Sequence, residues 1–163
     1  MNFLLDELPE SVEIDGKEYA IDTDYTTSIR YELLLMDSLF DSGEKAKLAL
    51  NLYYDTIPPN TEEAIKKIYW FYSGGDSPEK GGKAGGKTNR IYSFEHDSGY
   101  ICAAFLADYG INLRTAKLHW WEFKYLFASL SDENLISKIM GYRSMDISKL
   151  KGEEKRYYQK LKK

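Results

Sequence analysis

Apolar and polar residues recur along this chain with two different periods, and the change of period divides it. Val12-Glu13-Ile14 and Tyr19-Ala20-Ile21 alternate with the two-residue period of a half-buried strand. Asp15-Gly16 follows the first run, and an Asp-Gly pair between alternating runs signals a tight turn. The pattern predicts a β-hairpin over residues 8–22. Two strands alone are marginal in water, so this hairpin must lean on something else.

Beyond residue 22 the period becomes helical. Thr23 and Asp24 are candidate caps, and Ile29, Leu33, Met36 and Phe40 then recur at helical spacing. Asp41-Ser42-Gly43 interrupts. Glu44 to Tyr54 reads as a second helix, ended by Ile57-Pro58-Pro59. Asn60 and Glu63 have the spacing of a capping pair and precede Ala64, Ile65, Ile68, Tyr69 and Tyr72. Residues 23–72 are thus the N-terminal helices. Residues 73–89, SGGDSPEKGGKAGGKTN, hold half of the chain's 12 glycines and almost nothing to bury, the composition of a flexible loop.

The helical period returns over residues 92–163. Tyr100, Ile101, Ala104, Phe105 and Tyr109 share a face, and Gly110 suits the left-handed residue just past a helix end. A helix over 115–130 follows, with Trp120, Phe123, Phe127 and Leu130 on one stripe and Leu118, Trp121, Tyr125 and Leu126 on the next. A helix apolar over so much of its circumference belongs in a core. Asp132 would cap a short helix carrying Leu135, Ile136, Ile139 and Met140, and Asp146 would start a last one with Ile147, Leu150, Tyr157, Tyr158 and Leu161. The expected fold is mainly α (α+β): one domain over residues 1–163, a compact bundle of about six helices with a small N-terminal β-hairpin.

Composition adds limits. The chain has 163 residues, 43% hydrophobic and 29% charged, ordinary for a soluble globular protein. One cysteine excludes an internal disulfide. The start, MNFLLDELPE, is acidic and lacks the character of a signal peptide, and no apolar run is long enough to span a membrane. The expected location is therefore the cytoplasm. The net charge of −4 argues against nucleic acid as a partner. Its distribution is uneven: residues 1–63 carry 4 basic and 15 acidic side chains, net −11, whereas residues 143–163 carry 8 and 3, net +5. Such ends are either two solvated faces or the two halves of a head-to-tail self-association.

Candidate chemistry is sparse. Gly81 to Thr88, GGKAGGKT, satisfies the phosphate-loop string G-x-x-x-x-G-K-T, in which Lys87 would neutralise phosphates and Thr88 would hold magnesium. A buried strand should lead into such a loop, but Asp76-Ser77-Pro78-Glu79-Lys80 cannot be one, so the string reads as spacer. His96, Cys102 and His119 lack metal-ligand spacing, and nothing marks Cys102 as an activated nucleophile for His119. Asp37 with Asp41, and Glu62 with Glu63, are carboxylate pairs at surface-like helix positions. No catalytic, metal or cofactor residues are expected. The candidates for binding a partner are Trp120 and Trp121, one of which could face outward as an anchor, and Tyr157 and Tyr158 on the basic last helix.

Several segments together carry a family resemblance. They are Leu8-Pro9, the hairpin with Asp15-Gly16, Asp22-Thr23-Asp24-Tyr25, Tyr100-Ile101, Ala104-Phe105 and Tyr109-Gly110-Ile111-Asn112-Leu113. With them go Leu118-His119-Trp120-Trp121-Glu122-Phe123, Leu130, Ile139, Tyr142-Arg143 and Met145-Asp146-Ile147. In this combination the chain resembles a bacteriophage family called after gene product fifteen of a siphophage of Gram-positive hosts. Genes of that family lie between those for the major tail protein and the tape-measure protein, a position similar to that of tail-assembly chaperones. The resemblance implies a non-enzymatic assembly factor without catalytic residues, acting in the host cytoplasm. Its implied partners are the tape-measure protein and the tail tube protein. The other readings are a structural component of the virion tail and a nucleotide-binding protein using Gly81–Thr88.

Overall fold

A computed structural model describes residues 2–75, 91–148 and 150–161. Among them are a two-stranded hairpin and seven helices, so the fold is mainly α with a small N-terminal β-hairpin. The described residues fall into two compact units. The first comprises Met1–Ala84 with Lys117–Lys124, and the second comprises Gly85–Ala116 with Tyr125–Lys163.

In the first unit, β1 (Ser11–Ile14) pairs antiparallel with β2 (Lys17–Ala20), Ile14 opposite Lys17. Asp15 and Gly16 form the two-residue turn with φ of 52° and 75°. Positive φ at both central residues gives the turn a twist that matches the strands, which is why Asp-Gly serves here. Asn60 ties the turn down by donating to the Asp15 carboxylate at 3.0 Å. Val12 and Ile14 point into the core.

Three helices complete this unit's secondary structure before residue 75: α1 (Tyr25–Met36), α2 (Ser42–Tyr53) and α3 (Thr61–Ser73). Asp24 caps α1, accepting from the Thr26 amide. Helix α1 stops at Met36 rather than continuing to Phe40, because the Asp37 carboxylate accepts from the Leu39 amide and turns the chain. The apparent interruption at Asp41-Ser42-Gly43 is the start of α2. Asp41 accepts from the Glu44 amide and Glu44 accepts from the Asp41 amide, a reciprocal capping box. Asn60 caps α3.

Helix α3 ends in a left-handed turn at Gly74 (φ 89°) and Gly75 (φ 88°), whose amides donate to Phe71 and Trp70 carbonyls. The first residues of the expected loop are therefore an ordered helix cap. The phosphate-loop string, with Lys87 and Thr88, lies outside the described residues.

The second unit holds α4 (Ser98–Tyr109), α6 (Leu135–Ser144) and α7 (Gly152–Leu161). Between them in sequence runs α5 (Trp120–Ala128), whose residues from Tyr125 onward belong to this unit. Gly110 ends α4 with φ 67°, the left-handed conformation its position predicts. Asn134 rather than Asp132 precedes α6, and its side chain donates to Asp108 at 2.6 Å. Helix α7 begins at Gly152 rather than Asp146, because the Asp146 carboxylate accepts from the Ser148 amide in a local turn.

Candidate functional site

The segment Leu118-His119-Trp120-Trp121 turns out to be a structural joint of the first unit. Lys117–His119 are extended rather than helical: Tyr25 donates its amide to Leu118, and Trp120 donates its amide to Thr23, at 3.0 and 2.8 Å. Asp24 and His119 thus form an antiparallel bridge. Backbone groups committed to that pairing cannot also serve a helix, so α5 starts at Trp120 instead of residue 115.

His119 then caps the helix that it precedes. Its Nδ1 accepts from the Trp121 amide at 3.0 Å, and the Glu122 carboxylate accepts from the His119 amide at 3.0 Å. This is a reciprocal N-cap with imidazole in place of a hydroxyl or carboxylate, the ring accepting from the second helical residue rather than the third. The other ring nitrogen, Nε2, lies 3.0 Å from the Pro9 carbonyl. An accepting Nδ1 and a carbonyl at Nε2 fix the tautomer with its proton on Nε2. Both ring nitrogens are engaged in structural hydrogen bonds.

Trp120 and Trp121 are buried, at 3% and 2% exposure, so neither ring is the outward anchor that the sequence suggested. Their indole N–H groups donate to Tyr72 and Phe71 at 2.8 and 2.7 Å. Lys124 donates to Ser73 at 2.8 Å. Three consecutive carbonyls at the C-terminal end of α3 are thereby satisfied by side chains from the start of α5. Helix ends carry such orphan carbonyls and favour a cation nearby, which explains Lys124 at this place. Gly75 completes the joint: a Cβ there would come within 3.0 Å of the Trp121 ring. Tyr72 stacks on Trp120, and Tyr25 stacks on Phe123.

Deeper in this unit, Glu32 is buried and accepts from the Tyr72 hydroxyl, and Ser28 shares a hydrogen bond with Tyr53 at 2.8 Å. Burial raises the Tyr53 hydroxyl well above the usual tyrosine range and pushes Tyr54 up to about 12. Both phenols stay neutral and serve as hydrogen-bonding core residues.

Beside the joint opens a cleft of about 760 Å³ lined by Glu7, Leu8, Glu10, Asp22, Thr23, Asp24, Lys117, Leu118 and His119. Its lining carries four carboxylates against one ammonium, and Lys117 stands 3.8 Å from Asp24. Among the described residues, no group of three or more His, Cys, Asp or Glu is placed to hold a metal ion. Every buried side-chain nitrogen or oxygen described has a hydrogen-bond partner.

A second surface of this unit is apolar. At the corner between α1 and α2, Leu35, Met36, Leu39, Phe40 and Leu48 are 38–84% exposed. Lys45 reaches across it to the Leu35 carbonyl at 2.8 Å. The sequence placed Met36 and Phe40 on a helical spacing, and no signal in it distinguished an exposed face from a buried one.

In the second unit, Arg143 forms the main polar tie. It donates to both oxygens of the buried Asp97 carboxylate and to the Ile91 carbonyl. The hydrogen bond from Arg143 holds the Asp97 carboxyl below the usual carboxylate range, against the opposing effect of burial. Sequence reasoning did not pair these residues, since 46 positions separate them. Tyr157 is 60% exposed, while Tyr158 is half-buried with its ring 6.3 Å from that of Tyr142.

Comparison with protein families is decisive on kinship. The sequence model for the family described as Bacteriophage Gp15 protein matches residues 4–163. The chain belongs to the bacteriophage Gp15 family. No curated protein and no solved structure matches it. Among the described residues of this phage protein, no helix is long and apolar enough to cross a membrane.

Proposed function

We propose that this Gp15-family protein is a non-enzymatic tail-assembly protein, a chaperone that binds helical segments of the tape-measure protein in the host cytoplasm before the tail is built. The observation that carries this reading is the apolar corner between α1 and α2. Contiguous exposed apolar surface on a small unit marks an interaction site. Leu39 is 84% and Met36 49% exposed, so a partner helix would find apolar side chains there, one of them the unbranched, adaptable thioether of Met36. The gene order implied by the family resemblance, next to the tape-measure gene, supports the choice of partner. The histidine in the joint favours this reading over a catalytic one, because both of its ring nitrogens are taken up by structural hydrogen bonds.

Co-expression tests this. Tape-measure protein should stay soluble with the wild-type chain, and at least half of that effect should vanish with Met36→Glu and Leu39→Glu together. Both positions are exposed, so the double variant should keep the wild-type unfolding temperature. If tape-measure protein is equally insoluble with and without this chain, the chaperone reading fails. Mass spectrometry of finished particles adds a second arm, since a stoichiometric amount of the chain in virions would instead make it a tail component.

A further inference from the structure

We propose that the acidic cleft of the first unit receives helix α7 of a second copy, so that the protein associates with itself head to tail. This inference is independent of the tape-measure reading. The cleft presents two apolar residues, Leu8 and Leu118, among Glu7, Glu10, Asp22 and Asp24. Four carboxylates against the one lysine, Lys117, give the acidic and lysine side chains of its lining a net charge of −3. Asp22 and Asp24 accept only from backbone amides and threonine hydroxyls besides the long contact to Lys117, so those bonds leave their charge uncompensated. Glu7 and Glu10 are exposed, and Leu4 and Leu5 just ahead of them are 93% and 81% exposed.

Beyond Glu153 and Glu154 in its first turn, helix α7 has the complementary chemistry. Lys155, Arg156 and Lys160 flank Tyr157, whose ring is 60% exposed. Only Lys155 and Tyr158 of Gly152–Lys160 are even half-buried. A helix of ten residues is too short to be stable in water without a packing partner, so α7 gains from one on its open side. Tyrosine suits an interface that is apolar at its centre and wet at its edge. At the scale of the chain, the net −11 of residues 1–63 faces the net +5 of residues 143–163, enough to draw copies together in opposite orientation at low salt. Receptor and ligand are different surfaces. The contact therefore closes as a dimer when two copies exchange α7 reciprocally, and otherwise extends into a chain.

Sedimentation velocity of the full chain, with no other protein present, tests this. Association should grow with concentration in about 0.1 M salt and fall at least about tenfold in about 1 M salt. Reversing the cleft (Glu7→Lys with Glu10→Lys) or the helix (Lys155→Glu with Arg156→Glu) should each abolish it. Mixing the two reversed proteins should restore it, because each then meets its opposite charge. All four positions are exposed or half-buried on the surface, and unchanged far-UV dichroism would confirm that the variants fold. A single monomer mass at every concentration overturns the proposal. So does association that survives both reversals.

Discussion

At the residue scale, His119 shows how one side chain can do several structural jobs. It caps α5 through Nδ1, anchors the N-terminal segment through Nε2, and continues the antiparallel pairing with Asp24 through its backbone. Loss of a helix cap costs about 1 kcal/mol, and loss of a second hydrogen bond a similar amount. His119→Ala should therefore lower stability by about 1–2 kcal/mol. His119→Asn, which can still accept from the Trp121 amide, should recover about half of that. Urea unfolding followed by tryptophan emission reads both, since all three tryptophans lie in the first unit. An alanine variant as stable as wild type would remove the capping account. Gly75 gives a second residue-scale expectation. Gly75 and Gly16 both have positive φ, but only at Gly75 would a Cβ meet a ring, at 3.0 Å. Gly75→Ala should cost about 1–2 kcal/mol more than Gly16→Ala, the excess measuring the close approach of Trp121. Equal losses in thermal melts would mean that only backbone conformation matters there.

Among elements, the structure is held by ends rather than by faces alone. The start of α5 closes the end of α3 through Trp120, Trp121 and Lys124. The start of α4 is tied to α6 through Asp97 and Arg143. That second tie carries a pH dependence. The Asp97 carboxyl is lowered from its ordinary 3.8 by Arg143. A carboxylate with a depressed folded-state pKa contributes stability above the unfolded value and loses it as pH falls through the folded value. The contribution is thus whole at neutral pH and fades below 3.8. Asp97→Asn should cost roughly 2–3 kcal/mol at pH 7, because it leaves the Arg143 charge partly enclosed without its partner. The gap between variant and wild type should narrow toward about pH 3, measured by urea unfolding at the two pH values. A gap that does not change with pH would assign the loss to packing instead.

For the whole molecule, the proposed contacts rest on charge and on exposed apolar surface among the described residues. Of the three polar side chains buried among the described residues of the first unit, Ser28 and Glu32 are paired with tyrosine hydroxyls and Thr27 with Asp22, so they consolidate the core. What remains open is an apolar corner, an acidic cleft and a basic terminal helix, three surfaces with different chemistry. The two proposed contacts are separable because one is apolar and the other salt-dependent.

The sequence alone determined the local devices. Asp15-Gly16 dictated the hairpin turn, Gly110 the end of α4, and Asn60 the start of α3, because each depends on backbone sterics or a hydrogen bond within a few residues. Periodicity also pointed to the mainly α character, and particular segments such as Leu118-His119-Trp120-Trp121 carried the resemblance to the Gp15 family. Tertiary structure alone decided what the motifs do. Local spacing extended the helix back to residue 115, but Thr23–Tyr25 claimed those amides and carbonyls from more than 90 residues away. The same holds for the tryptophans, whose N–H groups found carbonyls about 50 residues upstream and were buried with them. Asp97 and Arg143 met across 46 residues of intervening chain. Periodicity reports which face of a helix is apolar, but not which apolar face is covered. That is why the corner at Leu35–Leu48 and the buried pair at Trp120-Trp121 looked alike until their neighbours were known.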